Sequence, residues 1–390
     1  MGSHSRVLCM NPQMRRPATH TQAGCPETTL RIVLTNPYCW PHVKRGSESA
    51  MHGLAGWLRA HGVEASILAG HTEGSQYTLD SVPYQTVRAW DLRRVQRELG
   101  PPVTMIPLLA ATLRRLKPDL VHAFSYHDAL AAKWAGIPYL ISYAGIIAPR
   151  SWQRAPWQFK LFQRASASAR AIFTPSTACA AAFERDYGLS TELIPYGLHT
   201  APFLQPSVGP IPGRIMCAAT PDDARKRPDF LVQAFGRVAQ QLPEAHLVFC
   251  ATASPRTQQR LLEQLPEALR SRVQFLGNVD RDTLLKEYAR ASLTALTSLE
   301  EAFGLVLIES LAAGTPVIGT HSGAIPELID ASVGGTFAPE DVEGCAQQML
   351  QLLTSPAGAY REACLQRARK YDWEAVGPRI LHLYQRCVSS

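Results

Sequence analysis

Two carboxylates eight positions apart, Glu301 and Glu309, stand at the edge and in the middle of an apolar segment. Glu309 lies inside the run 305–318, where a carboxylate is tolerated only if hydrogen bonds or an opposite charge compensate it. Vicinal hydroxyls of a sugar or a ribose supply two donors to one carboxylate. The pair therefore suggests a site for a polyhydroxylated ligand. The alternative for Glu309 is a structural bond to the backbone or to a nearby Arg.

The residues between these carboxylates predict a helix that starts near Phe303 and Gly304 and runs to Ala313, with Gly314 as its stop. The first amides of a helix have no partner within it and carry partial positive charge. The amides of Phe303, Gly304 and Leu305 would therefore form an anion site beside the two carboxylates.

A second cluster, Arg225-Lys226-Arg227, follows an apolar run at 214–220. In open α/β sheets, ligands bind beyond the carboxyl ends of the strands, where such cations would neutralise an anion. A solvated surface loop is the alternative interpretation of a charge cluster of this kind.

These residues need a scaffold, and the sequence predicts two. Apolar runs alternate with helical patterns on both sides of a Pro- and Gly-rich linker at 195–214. This alternation is typical of right-handed βαβ units and parallel sheets. We therefore predict two doubly wound α/β domains. The predicted strands are 30–36, 63–70, 118–124, 138–145 and 171–176, then 214–220, 245–252, 273–277, 292–297 and 315–319.

Composition limits the class of protein. The 390 residues are 46% hydrophobic and 18% charged, as in a globular protein of two domains. No apolar stretch is long enough to span a bilayer. Residues 1–28 lack the apolar segment of a secretory signal and are interpreted as a mobile N-terminal arm. The nine Cys are scattered without a CxxC pair, which favours reduced thiols in the cytoplasm over disulfides or a zinc site.

Charge is unevenly distributed. Residues 1–205 hold 21 Lys and Arg against 12 Asp and Glu, whereas the remainder holds 18 against 20. A basic first half suggests an anionic partner, although a basic soluble surface explains it as well.

The stretch 149–170 is basic and aromatic. It is predicted to be a helix lining a cleft, with Trp157, Leu161 and Ala165 in the core, and a helix on an anionic membrane is the alternative. No nucleic-acid recognition module accompanies it.

The segment "EAFGLVLIESLAAGTPVIG" resembles the E-x7-E signature of retaining GT-B glycosyltransferases and the residues that follow it, in particular those of glycosyltransferase family four. The resemblance extends over residues 29–388. It implies that Glu301 contacts the transferred sugar and Glu309 the ribose of a nucleotide-diphosphate sugar. It also assigns the segment after Glu301 to the donor, with Ala302 replacing the usual Gly. The donor-binding residues in that segment are Ala302, Phe303, Gly304 and Leu305.

Other segments are similar to the same family. "RGSESAMHGLAGWL" resembles the Gly-rich first loop and helix, which implies that Gly46 and Ser47 approach the diphosphate; a capped turn is the alternative. In "ATPDDARKRPDF", Lys226 matches the family's diphosphate-binding Lys. The family's Arg falls at Thr220, so Arg225 or Arg227 is a candidate substitute. "FLGNV" implies that Val279 holds the base through backbone atoms.

The first domain departs further from the family. Ala144 stands where relatives have a His, and in the linker Tyr196 and His199 replace the usual Asn and Asp. His122 lies inside a predicted strand and is interpreted as a core residue. His127, at the start of the next helix, is the better candidate for contact with the sugar or the acceptor, although a helix-start His without a role is common.

The resemblance implies a GT-B fold, with Rossmann-like domains at 29–200 and 211–370 and a C-terminal helix at 371–388 that packs back on the first. The expected reaction is retaining, metal-independent hexosyl transfer from a nucleotide-diphosphate sugar to a hydroxyl acceptor. Glu301, Lys226 and His127 are the candidate catalytic residues. No cofactor and no metal are expected, since no Asp-x-Asp cluster follows a strand. The acceptor is a glycan, a lipid-linked or otherwise anionic saccharide, or a small molecule.

The sequence leaves two alternatives open. One is a GT-B sugar-nucleotide epimerase, and the other is a non-catalytic two-lobed sugar-binding protein. A dinucleotide oxidoreductase is disfavoured because no G-x-G-x-x-G opens either domain. The expected location is the cytoplasm, with contact at the inner face of the membrane as an open alternative.

Overall fold

The computed structural model describes residues 29–38, 46–71, 73–88, 101–153 and 155–389. The predicted arm 1–28 lies outside the described residues. Two sheets organise the remainder, one on each side of the linker, and helices cover the faces of each sheet. The predicted fold class, two doubly wound α/β domains, is confirmed.

The first sheet has eight strands in the order β3-β4-β2-β1-β5-β6-β7-β8, parallel except where β3 pairs antiparallel with β4. Its central strands are fully buried, as expected when helices cover both faces. The strands are β1 Arg31–Asn36, β2 Glu64–His71, β3 Gln76–Leu79, β4 Val82–Arg88, β5 Leu120–Ala123, β6 Tyr139–Ser142, β7 Ile172–Thr174 and β8 Glu192–Leu193.

Five α-helices are described in the first domain: α1 Gly46–Ala60, α2 Pro101–Leu116, α3 Tyr126–Ala135, α4 Pro156–Ser166 and α5 Thr177–Tyr187. Local sequence sets the ends of α3 and α5. Ser125 and Ser176 accept N-cap hydrogen bonds, and Gly136 and Gly188 end the helices in the left-handed conformation.

The second sheet is entirely parallel, in the order β11-β10-β9-β12-β13-β14. Chain order reverses between β9 and β12, which is the switch point where ligands bind in open α/β sheets. The strands are β9 Arg214–Cys217, β10 His246–Phe249, β11 Val273–Phe275, β12 Leu293–Leu296, β13 Val317–Thr320 and β14 Gly334–Phe337.

The helices of the second half are α6 Pro228–Gln241, α7 Pro255–Glu263, α8 Glu267–Arg270, α9 Arg281–Arg290, α10 Leu305–Ala312, α11 Ile325–Leu328, α12 Val342–Leu353, α13 Arg361–Arg369 and α14 Trp373–Ser389. The helix predicted to start near Phe303 begins at Leu305 instead. Gly304 has φ +85° and ψ +46°, so it is the left-handed N-cap rather than a helical residue.

Helix α14 crosses back to the first domain. Trp373 is 1% exposed and lies against Gly53 and Gly197, where any Cβ would overlap its indole ring. The linker is tied to the same crossing, because Thr200 donates from both its amide (3.0 Å) and its hydroxyl (2.5 Å) to Asp372. Tyr384, further along α14, is fully buried beside β5.

Candidate functional site

A cavity of about 230 Å³ lies between the two domains, at the carboxyl ends of β9, β10 and β12. Gly46 and Ser49, at the start of α1, line it from the first domain. The second domain contributes most of the wall, including Thr220, Asn278, Val279, Arg281, Tyr288, Leu305, Val306 and Glu309. This is the position at which an open α/β sheet binds its ligand.

Two loops at the switch point are held together by hydrogen bonds to the backbone carbonyls of one of them. The Thr297 hydroxyl, beyond β12, donates to the carbonyl of Lys226 (2.8 Å), and the Leu299 amide donates to the carbonyl of Arg225 (3.1 Å). Thr297 is 1% exposed, so these bonds form away from water. The loop after β9 and the loop after β12 therefore present their side chains as one unit.

This arrangement brings two side chains, one from each loop, together as an ion pair. Lys226 Nζ donates to Glu301 Oε2 at 2.7 Å, and their side chains are 27% and 17% exposed. A carboxylate that is partly screened from water and fixed by an ammonium group can accept hydrogen bonds from ligand hydroxyls. The same ammonium group can stabilise negative charge on a phosphate.

Two residues beside this pair have an unfavourable backbone. Arg227 has φ +51° and Glu300 has φ +54°, values that L-residues other than Asn and Asp rarely adopt. Arg227 is fixed by Glu340, by the Pro339 carbonyl and by the ring of Phe230. Left-handed residues of this kind cost about 1 kcal/mol or more each, and they persist where the surrounding structure holds them.

Glu309 lies on the flank of α10 facing the cavity. Its Oε2 accepts a hydrogen bond from the buried Tyr288 hydroxyl at 2.7 Å. Burial raises the pKa of Glu309, while the Tyr288 hydrogen bond and the charge of Arg281 act to lower it. The structural alternative, a bond only to the backbone or to an Arg, is therefore not what the structure has. The carboxylate is anchored on one oxygen at a cavity wall.

The N-terminus of α10 lies on the same wall, because Leu305 and Val306 line the cavity. Gly46 faces Leu305 from the first domain, and a Cβ at Gly46 would come within 3.7 Å of its side chain. Val279 also lines the cavity. Four of the predicted donor-binding residues, Gly46, Val279, Leu305 and Glu309, thus meet in one space.

Other predicted residues point elsewhere. The Ser47 hydroxyl donates to Glu48 (2.9 Å), and it is Ser49 that lines the cavity. Arg225 pairs with Asp223 (2.6 Å) with 77% of its side chain exposed. Ala302 and Phe303 are each 6% exposed.

Ala302 and Phe303 face the first domain. Ala302 belongs to the hydrophobic cluster beneath α2 to α5, and the Phe303 ring lies 5.8 Å from that of Tyr196. The segment that follows Glu301 therefore has a domain interface on one side and the cavity on the other.

The first domain's candidate residue, His127, is 9% exposed, and its ring lies tilted against that of Tyr126 with centroids 3.8 Å apart. Burial lowers its pKa to about 3, so the imidazole is neutral at pH 7. The neighbouring Asp128 is fully buried and binds the Ser125 hydroxyl (2.7 Å), while its Oδ1 has no partner among the described residues. Burial raises the pKa of Asp128 to about 7.

His122 is the core residue that its strand position predicts. It is fully buried between the Tyr384 hydroxyl (2.6 Å) and the Ser142 hydroxyl (2.8 Å). Helix α4 packs through Phe162 and Ala165, which are 1% and 0% exposed. Trp157 and Leu161, expected in the core with Ala165, are only partly buried, because the inward face of α4 is turned toward Phe162.

The cavity residues that the sequence did not predict include three with polar side chains on its second-domain wall: Asn278, Arg281 and Tyr288. Arg281 is the first residue of α9 and lies with its guanidinium 5.8 Å from the ring centroid of Phe203. Tyr288 lies two turns further along α9. Asp280, which caps the N-terminus of α9 through the Thr283 amide, is the sequence signal nearest to them, but a cap does not show which side chains of the helix face the cavity.

Within the described residues, no group of three or more His, Cys, Asp or Glu side chains is placed to hold a metal ion. In the same part of the chain, no helix combines the length and hydropathy that crossing a bilayer requires.

Two family models match the chain, one on each domain. The model described as Glycosyltransferase Family 4 matches residues 44–201, and the model described as Glycosyl transferases group 1 matches residues 212–355. The second match contains the whole Lys226, Glu301 and Glu309 arrangement.

Curated relatives match over parts of their length. Glycogen synthase of Mycobacterium tuberculosis is 37% identical over 114 residues, which is 28% of each chain. The MMP alpha-(1->4)-mannosyltransferase of Mycolicibacterium hassiacum is 26% identical over 258 residues, which is 62% of each chain. The matched segments therefore span between about a quarter and two thirds of these relatives.

Solved structures match over nearly the whole fold. Sucrose-phosphate synthase from Thermosynechococcus elongatus superposes with a TM-score of 0.78 at 19% identity, covering 92% of this chain and 99% of that one. Anabaena HepE in complex with UDP and glucose superposes with a TM-score of 0.71 at 17% identity, covering 91% and 99%. With both domains matched by their family models and the GT-B architecture in place, the chain belongs to glycosyltransferase family four, the group 1 glycosyl transferases.

Proposed function

We propose that this protein is a retaining, metal-independent hexosyltransferase that moves a sugar from a nucleotide-diphosphate sugar to a hydroxyl acceptor. The observation that carries the proposal is the shared geometry of Lys226, Glu301 and Glu309. The Lys226 ammonium group is paired with Glu301 on the loop that leads to α10, and Glu309 and the first residues of α10 line the cavity at the switch point. The UDP and glucose of the Anabaena neighbour support the choice of donor class.

Each group has a role in this proposal. Glu309 accepts hydrogen bonds from the ribose, Glu301 from the sugar, and Lys226 with the α10 amides binds the diphosphate. When the bond between the anomeric carbon and the phosphate oxygen breaks, negative charge grows on the diphosphate, and the fixed positive groups stabilise it. Lys226 and Glu301 neutralise each other before the ligand arrives, so the cavity meets the donor without a large net charge.

We propose a front-face route for the transfer. The acceptor oxygen bonds to the anomeric carbon on the side that the diphosphate leaves, and the acceptor proton passes to the departing phosphate oxygen. His127 and the start of α3 are proposed to contact the acceptor or the sugar. Because His127 is neutral, its imidazole would act through hydrogen bonding and not through charge.

An anionic or lipid-linked acceptor is favoured by the surface of the first domain. Trp134 is 53% exposed at the end of α3, beside the exposed Arg114, whose guanidinium donates to its carbonyl. The exposed Leu116 and Lys117 lie near Arg114 in sequence. We propose a cytoplasmic enzyme that reaches its acceptor at the inner face of the membrane. Co-sedimentation with vesicles of neutral and of anionic lipid tests this, and equal binding to both would contradict it.

The donor is identified by thermal-shift screening of the protein against UDP-, GDP-, ADP- and dTDP-sugars, followed by product analysis. A transferase consumes the donor only when an acceptor is present, apart from slow hydrolysis. Conversion of the donor sugar into its epimer without any acceptor would instead support the epimerase alternative. Tight binding with no turnover would support the sugar-binding alternative.

The donor site itself is tested by calorimetry on Glu309→Ala and Lys226→Ala with the nucleotide sugar that the screen selects. Each loses charge-assisted hydrogen bonds of about 1.5–3 kcal/mol, so we expect affinity to fall about 10- to 100-fold. Arg256→Ala is the matched control, because Arg256 is exposed on α7 away from the cavity wall. Unchanged affinity in both cavity variants would place the donor elsewhere.

A further inference from the structure

The donor-site loop makes its closest contact with the first domain at the N-terminus of α5. Ser176, the N-cap of that helix, donates from its hydroxyl to the Ala302 carbonyl at 2.6 Å. The same oxygen accepts from the Cys179 amide at 3.1 Å. Ser176 is 2% exposed, so the hydrogen bond between the domains forms where no water competes for it.

A carboxylate from the second domain completes the contact. Glu327, on α11, accepts from the amides of Thr177 and Ala178 at 2.9 and 2.8 Å. These are free amides in the first turn of α5, where a negative charge is favoured by the helix dipole. The end of α5 is therefore bound from two directions, by a carbonyl of the donor-site loop and by a side chain of α11.

Within the second domain, the turn before Glu327 is also hydrogen-bonded to the loop that carries Ala302. The Ala324 amide, one residue before α11, donates to the Glu301 carbonyl at 2.8 Å. Gly323 has φ +58°, and a Cβ there would overlap the backbone of Glu301. The turn that leads to Glu327 thus packs directly on the backbone of the candidate catalytic carboxylate.

The side chains of the loop reinforce this arrangement. The Ala302 methyl group packs in the first domain's hydrophobic cluster, whereas the Glu301 side chain, one residue earlier, pairs with Lys226. The conformations of Glu300 (φ +54°) and Gly304 (φ +85°) allow this reversal over a few residues. A loop with two left-handed residues needs external contacts to stay in one conformation.

We propose that Ser176 and Glu327 are positioning residues for the transfer reaction: the end of α5 fixes the 300–304 loop so that Glu301 faces the donor sugar. The inference rests on the proposed function for its kinetic consequence. It concerns residues that touch neither the cavity wall nor the donor in that proposal. Without Ser176 the Ala302 carbonyl is left buried and unpaired, and the loop relaxes to other conformations.

The first measurement is kinetic. In Ser176→Ala and Glu327→Ala we expect kcat for transfer to fall about tenfold, because a misplaced catalytic group costs rate. The affinity for the nucleoside diphosphate should stay within about twofold, because Glu309 is anchored by Tyr288 and the Lys226 backbone by Thr297, both outside the 300–304 loop. Ser176→Thr retains the hydroxyl and should restore kcat.

The second measurement does not need activity. Hydrogen exchange of the unliganded protein should show faster exchange of the 299–304 amides in Ser176→Ala and Glu327→Ala, and wild-type exchange in Ser176→Thr. Ser254→Ala is the matched control for the loss of a helix cap, because Ser254 caps α7 through the Thr257 amide in the same way. It should leave both the 299–304 amides and kcat unchanged.

The outcomes separate the two ideas. If the wild type shows no transfer with any donor, the proposed function fails, and hydrogen exchange alone still decides whether α5 holds the loop. If the 299–304 amides exchange at the wild-type rate in both Ala variants, the positioning role is wrong. It is also wrong if Ser254→Ala lowers kcat as much as Ser176→Ala, or if nucleoside diphosphate affinity falls together with kcat.

Discussion

The two sides of the proposed reaction, the donor side in the second domain and the acceptor side in the first, are built on different principles. In the second domain, Lys226, Glu301 and Glu309 each have a polar partner at 2.7 Å, and the loops that carry them are bonded to each other. In the first domain, His127 and Asp128 are buried. Within the described residues neither has an oppositely charged partner, and Asp128 Oδ1 has no hydrogen-bond partner. The proposed donor wall is preorganised around charge, whereas the proposed acceptor wall is organised by packing.

In the proposed reaction, the donor and the acceptor require different kinds of binding groups. A diphosphate needs fixed positive groups that do not reorganise when charge develops, and such groups must be held by hydrogen bonds. An acceptor hydroxyl is neutral and needs shape and a few hydrogen bonds. We therefore expect donor-wall variants to change catalysis and nucleotide affinity strongly, and acceptor-wall variants to act more weakly and separately.

The largest expected effect is that of Glu301→Gln. The amide keeps the shape but loses the charge that Lys226 Nζ contacts, so transition-state stabilisation is lost. We expect turnover to fall about 100-fold or more, the order seen when one electrostatic group is removed from an active site. Steady-state kinetics measure turnover and calorimetry measures nucleoside diphosphate affinity, which should be nearly unchanged. Wild-type turnover would remove Glu301 from the catalytic residues.

The next effect tests the other wall. His127→Gln should lower kcat/KM for the acceptor about tenfold, the value of a lost hydrogen bond in a buried site, with unchanged donor affinity. Because burial lowers the pKa of His127 to about 3, titration of this imidazole should not affect activity between pH 5 and 8. Loss of donor affinity in this variant would show that the walls are not independent.

A smaller effect is expected from Tyr288→Phe, which leaves Glu309 without its hydrogen bond. We expect donor affinity to fall about fivefold, corresponding to about 1 kcal/mol. Calorimetry at pH 6 and pH 8 refines the test. The Tyr288 bond lowers the pKa of Glu309, so the variant's carboxyl should hold its proton to higher pH, and the deficit should be larger at pH 6. Equal affinity to wild type at both values would contradict the anchoring role.

The smallest effect concerns stability. Burial raises the pKa of Asp128 to about 7 in the folded protein, against an ordinary value of 3.8. The protonated carboxyl therefore contributes to the free energy of unfolding. This contribution is complete below pH 4 and is lost as pH rises through 7. Asp128→Asn removes this loss, so its Tm relative to wild type should rise by about 5 °C between pH 4 and pH 8. A constant difference in thermal melts across that range would contradict the buried neutral carboxyl.

The fold could be predicted because its signals are local. Each of the ten predicted strands overlaps an observed strand, since buried β-branched runs alternate with capped helices. The prediction missed β3, β4, the two-residue β8 and β14. The β3–β4 hairpin was missed because Gln76–Leu79 is largely exposed and polar, and its turn uses Asp80 and Ser81 in the left-handed region without any glycine. β14 begins with two glycines and carries little apolar signal.

The site could be predicted only in part. The spacing and flanking residues of the two carboxylates led to Glu309 at the cavity wall, and the family resemblance led to Lys226, which pairs with Glu301. Tyr288 and Arg281 could not be found in this way, because which face of α9 meets the cavity depends on tertiary packing. The burial of Ala302 in the first domain could not be predicted either, because its surroundings are formed by a helix that lies more than a hundred residues earlier in the chain.

Helix α14 has a consequence for how this protein is made. Residues 373–389 cover α1 and β5, and Trp373, Val376, Ile380 and Tyr384 are each 1% exposed or less there. The first of the two domains is therefore completed by a segment that is translated after the second. Domains generally fold as units during synthesis. Here the first one must wait, with an apolar face uncovered, until the whole second domain has left the ribosome.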